Sequence, residues 1–87
     1  MPIIFDKIRT ILCTQFSFQY DQIQPEARFE IELGTDSREM LELLSEFEKT
    51  FNIEINLDDI DKMVEEGKFI RIQDAVDYIE EKISIQE

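Results

Sequence analysis

Histidine is absent from the 87 residues. Its absence removes imidazole metal sites, Ser-His triads and Cys-His pairs from this chain. Cysteine occurs once, at Cys13, so no disulfide can close within the chain. Cys13 falls off the apolar stripe of its segment by about a quarter turn, at ~100° per residue, and reads as a bystander thiol. No apolar run approaches the roughly 20 residues that a membrane-spanning helix needs. The opening Met1-Pro2-Ile3-Ile4-Phe5-Asp6-Lys7 has no basic region followed by a long apolar one. No signal peptide or membrane insertion is therefore expected, and a cytoplasmic location is. Cations are scarce: 9 Lys and Arg stand against 21 Asp and Glu, a formal net charge of −12. Repulsion argues against nucleic acid and anionic membrane surfaces as partners. It favours basic patches on partner proteins, met in fast, salt-sensitive encounters. Acidity can also serve solubility alone.

Hydrophobic residues make up 43% of the chain, enough for one core, and a single domain over residues 1–87 is expected. Ile4, Phe5, Ile8, Ile11, Leu12 and Phe16 recur at helical spacing, which predicts a first helix over residues 3–16. Pro2 suits its start. Residues 17–36 form a long connection, of a length that is uncommon in compact domains and often functional. Its apolar residues Phe18, Tyr20, Ile23, Phe29, Ile31 and Leu33 predict an ordered loop that dips into the core, with one short turn at Pro25-Glu26-Ala27.

The chain is organised around Leu33-Gly34-Thr35-Asp36-Ser37. Gly34 permits a sharp turn, and Asp36 or Ser37 can cap a helix over residues 37–51. That helix carries an apolar face of Met40, Leu41, Leu43, Leu44, Phe47 and Phe51. Glu39, Glu42 and Glu46 cluster within about 60° on the far side. A helix start favours an anion, so Ser37 is an exposed hydroxyl where a phosphate would be well placed. By itself a serine here is an ordinary capping residue, and the acidic stripe an ordinary solvated face.

Ile53 and Ile55 read as apolar plugs under the next loop, and Asn56 as the cap of a third helix from Leu57. Asp58-Asp59-Ile60-Asp61 lacks EF-hand spacing, so no specific metal site is expected. Gly67 ends the third helix. Ile72, Ala75, Val76, Ile79 and Ile83 follow one buried stripe, which predicts a last helix over residues 72–83 and a frayed tail beyond. The fold class expected is all-α: a four-helix bundle of three longer helices and a shorter third, with a long loop between the first two.

The stretch from Ile23 through Pro25, Phe29 and Leu33 to Gly34-Thr35-Asp36-Ser37 resembles the loop leading to the attachment serine of acyl carrier proteins. Glu42-Leu43, the run from Phe47 to Ile55 and Ala75-Val76-Asp77-Tyr78-Ile79 are similar to later parts of that family, from about Phe5 to Ile83 in all. The resemblance implies 4′-phosphopantetheine on Ser37, with Gly34 and Asp36 shaping the attachment site. It implies a carrier of acyl thioesters that catalyses nothing itself. The partners implied are a phosphopantetheinyl transferase and acyl-processing enzymes with basic docking patches, met by a monomer. Arg38, Glu39, Glu42 and Glu46 fall where those enzymes dock. Leu43, Leu44, Phe47, Ile60, Met63 and Ile79 would line an acyl pocket.

Two departures stand out. Arg38 replaces the leucine usual after the serine, and about six extra residues lie between Lys62 and Ile72, bringing Phe69 and Ile70. The extra residues either pack onto the domain or reshape the pocket or a partner surface. Both departures point to a specialised carrier rather than the general fatty-acid one. The rival reading is an unmodified acidic helical interaction module that keeps the fold without the arm.

Overall fold

The computed structural model describes residues 3–86. Four α-helices follow in order: α1 (Ile3–Gln15), α2 (Ser37–Phe51), α3 (Leu57–Glu65) and α4 (Ile72–Gln86), with one 3₁₀ turn at Tyr20–Gln22. The helices span 13, 15, 9 and 15 residues, so the third is the short one. Pro2 and Glu87 lie outside the described residues. α4 runs three residues past the expected end at Ile83, to Gln86.

The apolar periodicity of each helix meets in one core. Phe5, Ile8, Ile11 and Leu12 of α1 face Leu43, Leu44 and Phe47 of α2, Ile60 of α3, and Ile72, Ala75, Val76 and Ile79 of α4. α1 is the spine, packing against both α2 and α4. Cys13 is half-buried and packs at the edge of this cluster. Leu41 departs from expectation. It is 53% exposed, because the stripe that meets the core follows Leu43, Leu44 and Phe47 and leaves Leu41 at its margin.

The long loop is pinned at several points. Ile23, Ala27, Phe29 and Leu33 are buried, whereas Tyr20 and Ile31 stay exposed. The Arg9 guanidinium lies between the Phe5 and Tyr20 rings, 4.5 and 4.1 Å from their centroids. It donates to the Ile23 carbonyl at 2.9 and 3.2 Å and to the Tyr20 hydroxyl at 2.6 Å. Such a stack combines cation–π attraction with charge-assisted hydrogen bonds. The Pro25 turn closes through the Ala27 N–H to the Gln24 carbonyl at 3.0 Å.

The extra residues before α4 pack onto this loop. Phe29 N–H donates to the Ile70 carbonyl at 3.0 Å, and Ile72 N–H to that of Ala27 at 2.9 Å. Arg28 and Arg71 are thereby paired antiparallel. Phe69 is buried, stacked on Phe29 at 5.9 Å and set edge-on to Tyr78 at 6.3 Å. Gly67 takes φ +73 just past the end of α3, a backbone shape that glycine adopts without strain. The Asp74 carboxylate accepts from the N–H groups of Ile70 and Arg71, both at 2.9 Å, and opens α4.

Between α2 and α3 the chain turns through Asn52 in the left-handed region, φ 53. Ile53 and Ile55 are buried beneath this turn. Glu48 accepts the Ile55 N–H at 2.8 Å, and Asn56 Oδ1 accepts that of Asp58 at 2.9 Å.

Candidate functional site

The entrance to α2 is built from the loop side first. Gly34 has φ +64, and a Cβ there would meet no atom within 4 Å, so backbone shape rather than space calls for glycine. Thr35 is the one buried polar residue among those described. Its N–H and its hydroxyl both donate to the Phe29 carbonyl, at 2.8 and 2.7 Å. Those bonds anchor the residue two before Ser37 to the buried part of the loop. Asp36, extended at φ −98, is the cap: its Oδ1 accepts the Glu39 N–H at 2.8 Å. Of the two capping candidates, Asp36 therefore does the capping and Ser37 begins the helix.

Ser37 is exposed at the first position of α2. The first N–H groups of a helix have no intrahelical acceptor and carry partial positive charge. Asp36 satisfies only that of Glu39, so the end of α2 around Ser37 can still accept an anion. A phosphodiester on the Ser37 oxygen would meet open space and these donors.

The neighbouring charges divide. Arg38 has a side chain 89% exposed and lies 3.9 Å from Glu42. Glu39 is half-buried and turned back to the Asp36 N–H at 3.3 Å. Glu46 is also half-buried, 3.9 Å from Lys49. Arg38, Glu42 and Leu41 therefore present the most open part of this face.

The six residues read as an acyl pocket lie in or against the core. Leu43, Leu44, Phe47, Ile60 and Ile79 are all in the core, between 1% and 5% exposed. Met63 is half-buried, packs against that core and lines a groove with Tyr78. The sequence gives Thr35 and Val64 no separate role at the site, and it places Ile31 only among the apolar residues of the loop. Nothing in composition or period marks a buried threonine, and the exposure of Ile31 and Val64 depends on tertiary packing.

The family description that matches residues 6–64, more than half of the chain, is that of a phosphopantetheine attachment site. The chain belongs to the acyl carrier protein family. Acyl carrier protein of Nitratidesulfovibrio vulgaris (strain DSM 19637 / Miyazaki F) is 36% identical over 77 residues, 88% of this chain and 93% of the relative. That of Chlorobium phaeovibrioides (strain DSM 265 / 1930) is 35% identical over 79 residues, 91% of this chain and 94% of the relative. The family consists of carriers, which hold acyl groups on phosphopantetheine and meet a phosphopantetheinyl transferase and acyl-processing enzymes. No described helix is long and apolar enough to cross a membrane.

Proposed function

We propose that Ser37 is the attachment point and that this carrier delivers acyl groups along a specialised pathway. The observation that carries this reading is the Ser37 hydroxyl, exposed at the first residue of α2 on a loop held by Thr35 and Asp36. When bound, the arm supplies a flexible thiol that holds the acyl group as a thioester. The chain's own residues do the rest. Thr35 and Asp36 keep Ser37 at the surface, and the free N–H groups of α2 favour the phosphodiester charge. Groups that activate the Ser37 oxygen belong to the transferase.

The docking face consists of Glu42, Arg38 and the exposed Leu41, with Glu39 and Glu46 at its flanks. Exposed charge pairs are weak, about 0–1 kcal/mol each, which suits encounters that must end quickly. A partner therefore offers basic groups to Glu42, an acid to Arg38 and an apolar hollow to Leu41. The chain works as a cytoplasmic monomer of one domain and performs no catalysis of its own.

Incubation with coenzyme A and a transferase, followed by intact mass, tests the reading. The mass rises by one phosphopantetheine in the parent and not in Ser37→Ala. A parent that folds but takes no arm favours the unmodified interaction module.

A further inference from the structure

A groove of about 460 Å³ runs between α3 and α4, and among the described residues none from α2 lines it. Its size falls within the range of small-molecule sites, about 300–1,000 Å³. Met63 and Tyr78 give it an apolar floor. Tyr78 is 9% exposed, and its buried hydroxyl has no hydrogen-bond partner among the described residues. A buried phenol without a partner is costly, and such atoms in folded proteins are nearly always met by protein, water or ligand. The ring is fixed, edge-on to Phe69 at 6.3 Å and with Lys82 Nζ 5.5 Å from its centroid. The charges around this floor divide into engaged and open ones. Asp74 accepts the Ile70 and Arg71 N–H groups, Asp77 accepts the Gln73 amide at 2.9 Å, and Glu66 lies 3.6 Å from Lys68. Asp59 and Lys62 on α3, and Glu81 and Lys82 on α4, make no ion pair among the described residues. Each helical wall thus offers one open carboxylate and one open ammonium.

From this arrangement we infer that the α3–α4 groove binds a small zwitterion, a molecule with one ammonium, one carboxylate and a compact apolar part, as in an aliphatic amino acid. Asp59 and Glu81 take the ammonium. Lys62, Lys82 and the Tyr78 hydroxyl take the carboxylate, and Met63 and the Tyr78 ring cover the apolar part. The charge of the whole chain selects the same class. At a net charge of −12, a plain anion is repelled before it reaches the lysines. A plain cation is drawn in by that field but is set beside two unmatched ammonium groups, a like-charge contact that costs binding. A zwitterion carries no net charge to repel and pairs with both signs at once. Exposed charge pairs are individually weak, so the affinity should fall as salt screens them. The groove shares no lining residue with the loop or helix that carries Ser37, and the inference stands apart from the attachment reading.

The test titrates the full chain with leucine and follows the Met63 methyl and Tyr78 ring signals by NMR. Two analogues keep the leucine skeleton and one charge each: isocaproate lacks the ammonium, and isoamylamine lacks the carboxylate. Leucine is expected to shift both signals saturably. Each analogue should bind about tenfold more weakly or worse, because charge-assisted hydrogen bonds are the strong ones. Lys82→Gln and Asp59→Asn should each weaken leucine binding by a similar factor. Tyr78→Phe should weaken it too, while the Tm of the free chain holds or rises, because the hydroxyl removed has no partner. The two charge variants keep the idea testable if Tyr78→Phe does not fold. Ser37→Ala should bind leucine as the parent does, so a failure of the attachment reading leaves this result untouched. Unmoved Met63 and Tyr78 signals, an analogue that binds as well as leucine, or charge variants that bind like the parent would each overturn the inference.

Discussion

Asp36 Oδ1 accepts the Glu39 N–H at 2.8 Å, and Glu39 Oε1 accepts the Asp36 N–H in return at 3.3 Å. This reciprocal box sets the start of α2 and hence the position of Ser37. Asp36→Ala should lose about 0.5–2 kcal/mol of stability, the usual range for a lost cap. Asp36→Asn should keep most of it, because the amide oxygen can accept the same bond. Urea unfolding of both variants checks this, and equal losses would mean that charge rather than the cap matters.

Thr35 ties the loop to the Phe29 carbonyl through its hydroxyl. Thr35→Val keeps the shape and removes that donor, with an expected loss of about 0.5–1.5 kcal/mol. The loss should fall at the low end, because the Thr35 N–H still serves the same carbonyl. Thr35→Ser should retain the bond. Chemical denaturation that ranks serine below valine would contradict the role given to the hydroxyl.

The Arg28 guanidinium donates to both Glu32 oxygens, at 3.0 and 3.2 Å, and holds that carboxyl below its ordinary range. A carboxyl with a lowered folded pKa stabilises the fold above its unfolded pKa. That contribution is lost as pH falls through the folded value. Glu32→Gln should therefore be slightly less stable than the parent at neutral pH, with the gap closing in acid. The pair is exposed, so the gap is small and should shrink with salt. Melting curves over an acid titration test this, and a gap that widens in acid would contradict it.

Arg38 and Glu42, 3.9 Å apart and both exposed, place a cation in the middle of the docking face. Arg38→Leu should leave stability within about 0.5 kcal/mol, as for surface changes in general. Turnover with the elongation enzymes that serve a general fatty-acid carrier should be low in the parent and higher in Arg38→Leu. Steady-state assays with those enzymes decide. Turnover in the parent equal to that of a general carrier would count against specialisation.

Local chemistry made much of the fold legible in the sequence. Gly34, Asp36 and the apolar period placed α2 at Ser37–Phe51, and Asn56 placed the start of α3 at Leu57. Ile53 and Ile55 alternate with polar residues in a short loop, and both are buried. The pairing of Arg28 with Arg71 was not legible, because backbone hydrogen bonds between distant segments leave no local signature. The stacking of Arg9 between Phe5 and Tyr20 was hidden for the same reason. At the site, the exposed serine followed from its position at a helix start. The engagement of Glu39 in the cap, the exposure of Leu41 and the groove beside Tyr78 depend on what neighbouring elements cover.

Tandem mass spectrometry of the carrier after arm transfer tests the central claim most directly. The account predicts phosphopantetheine on the peptide containing Ser37, at that residue alone. An arm on any other residue, or none on a folded chain supplied with coenzyme A and an active transferase, would contradict it.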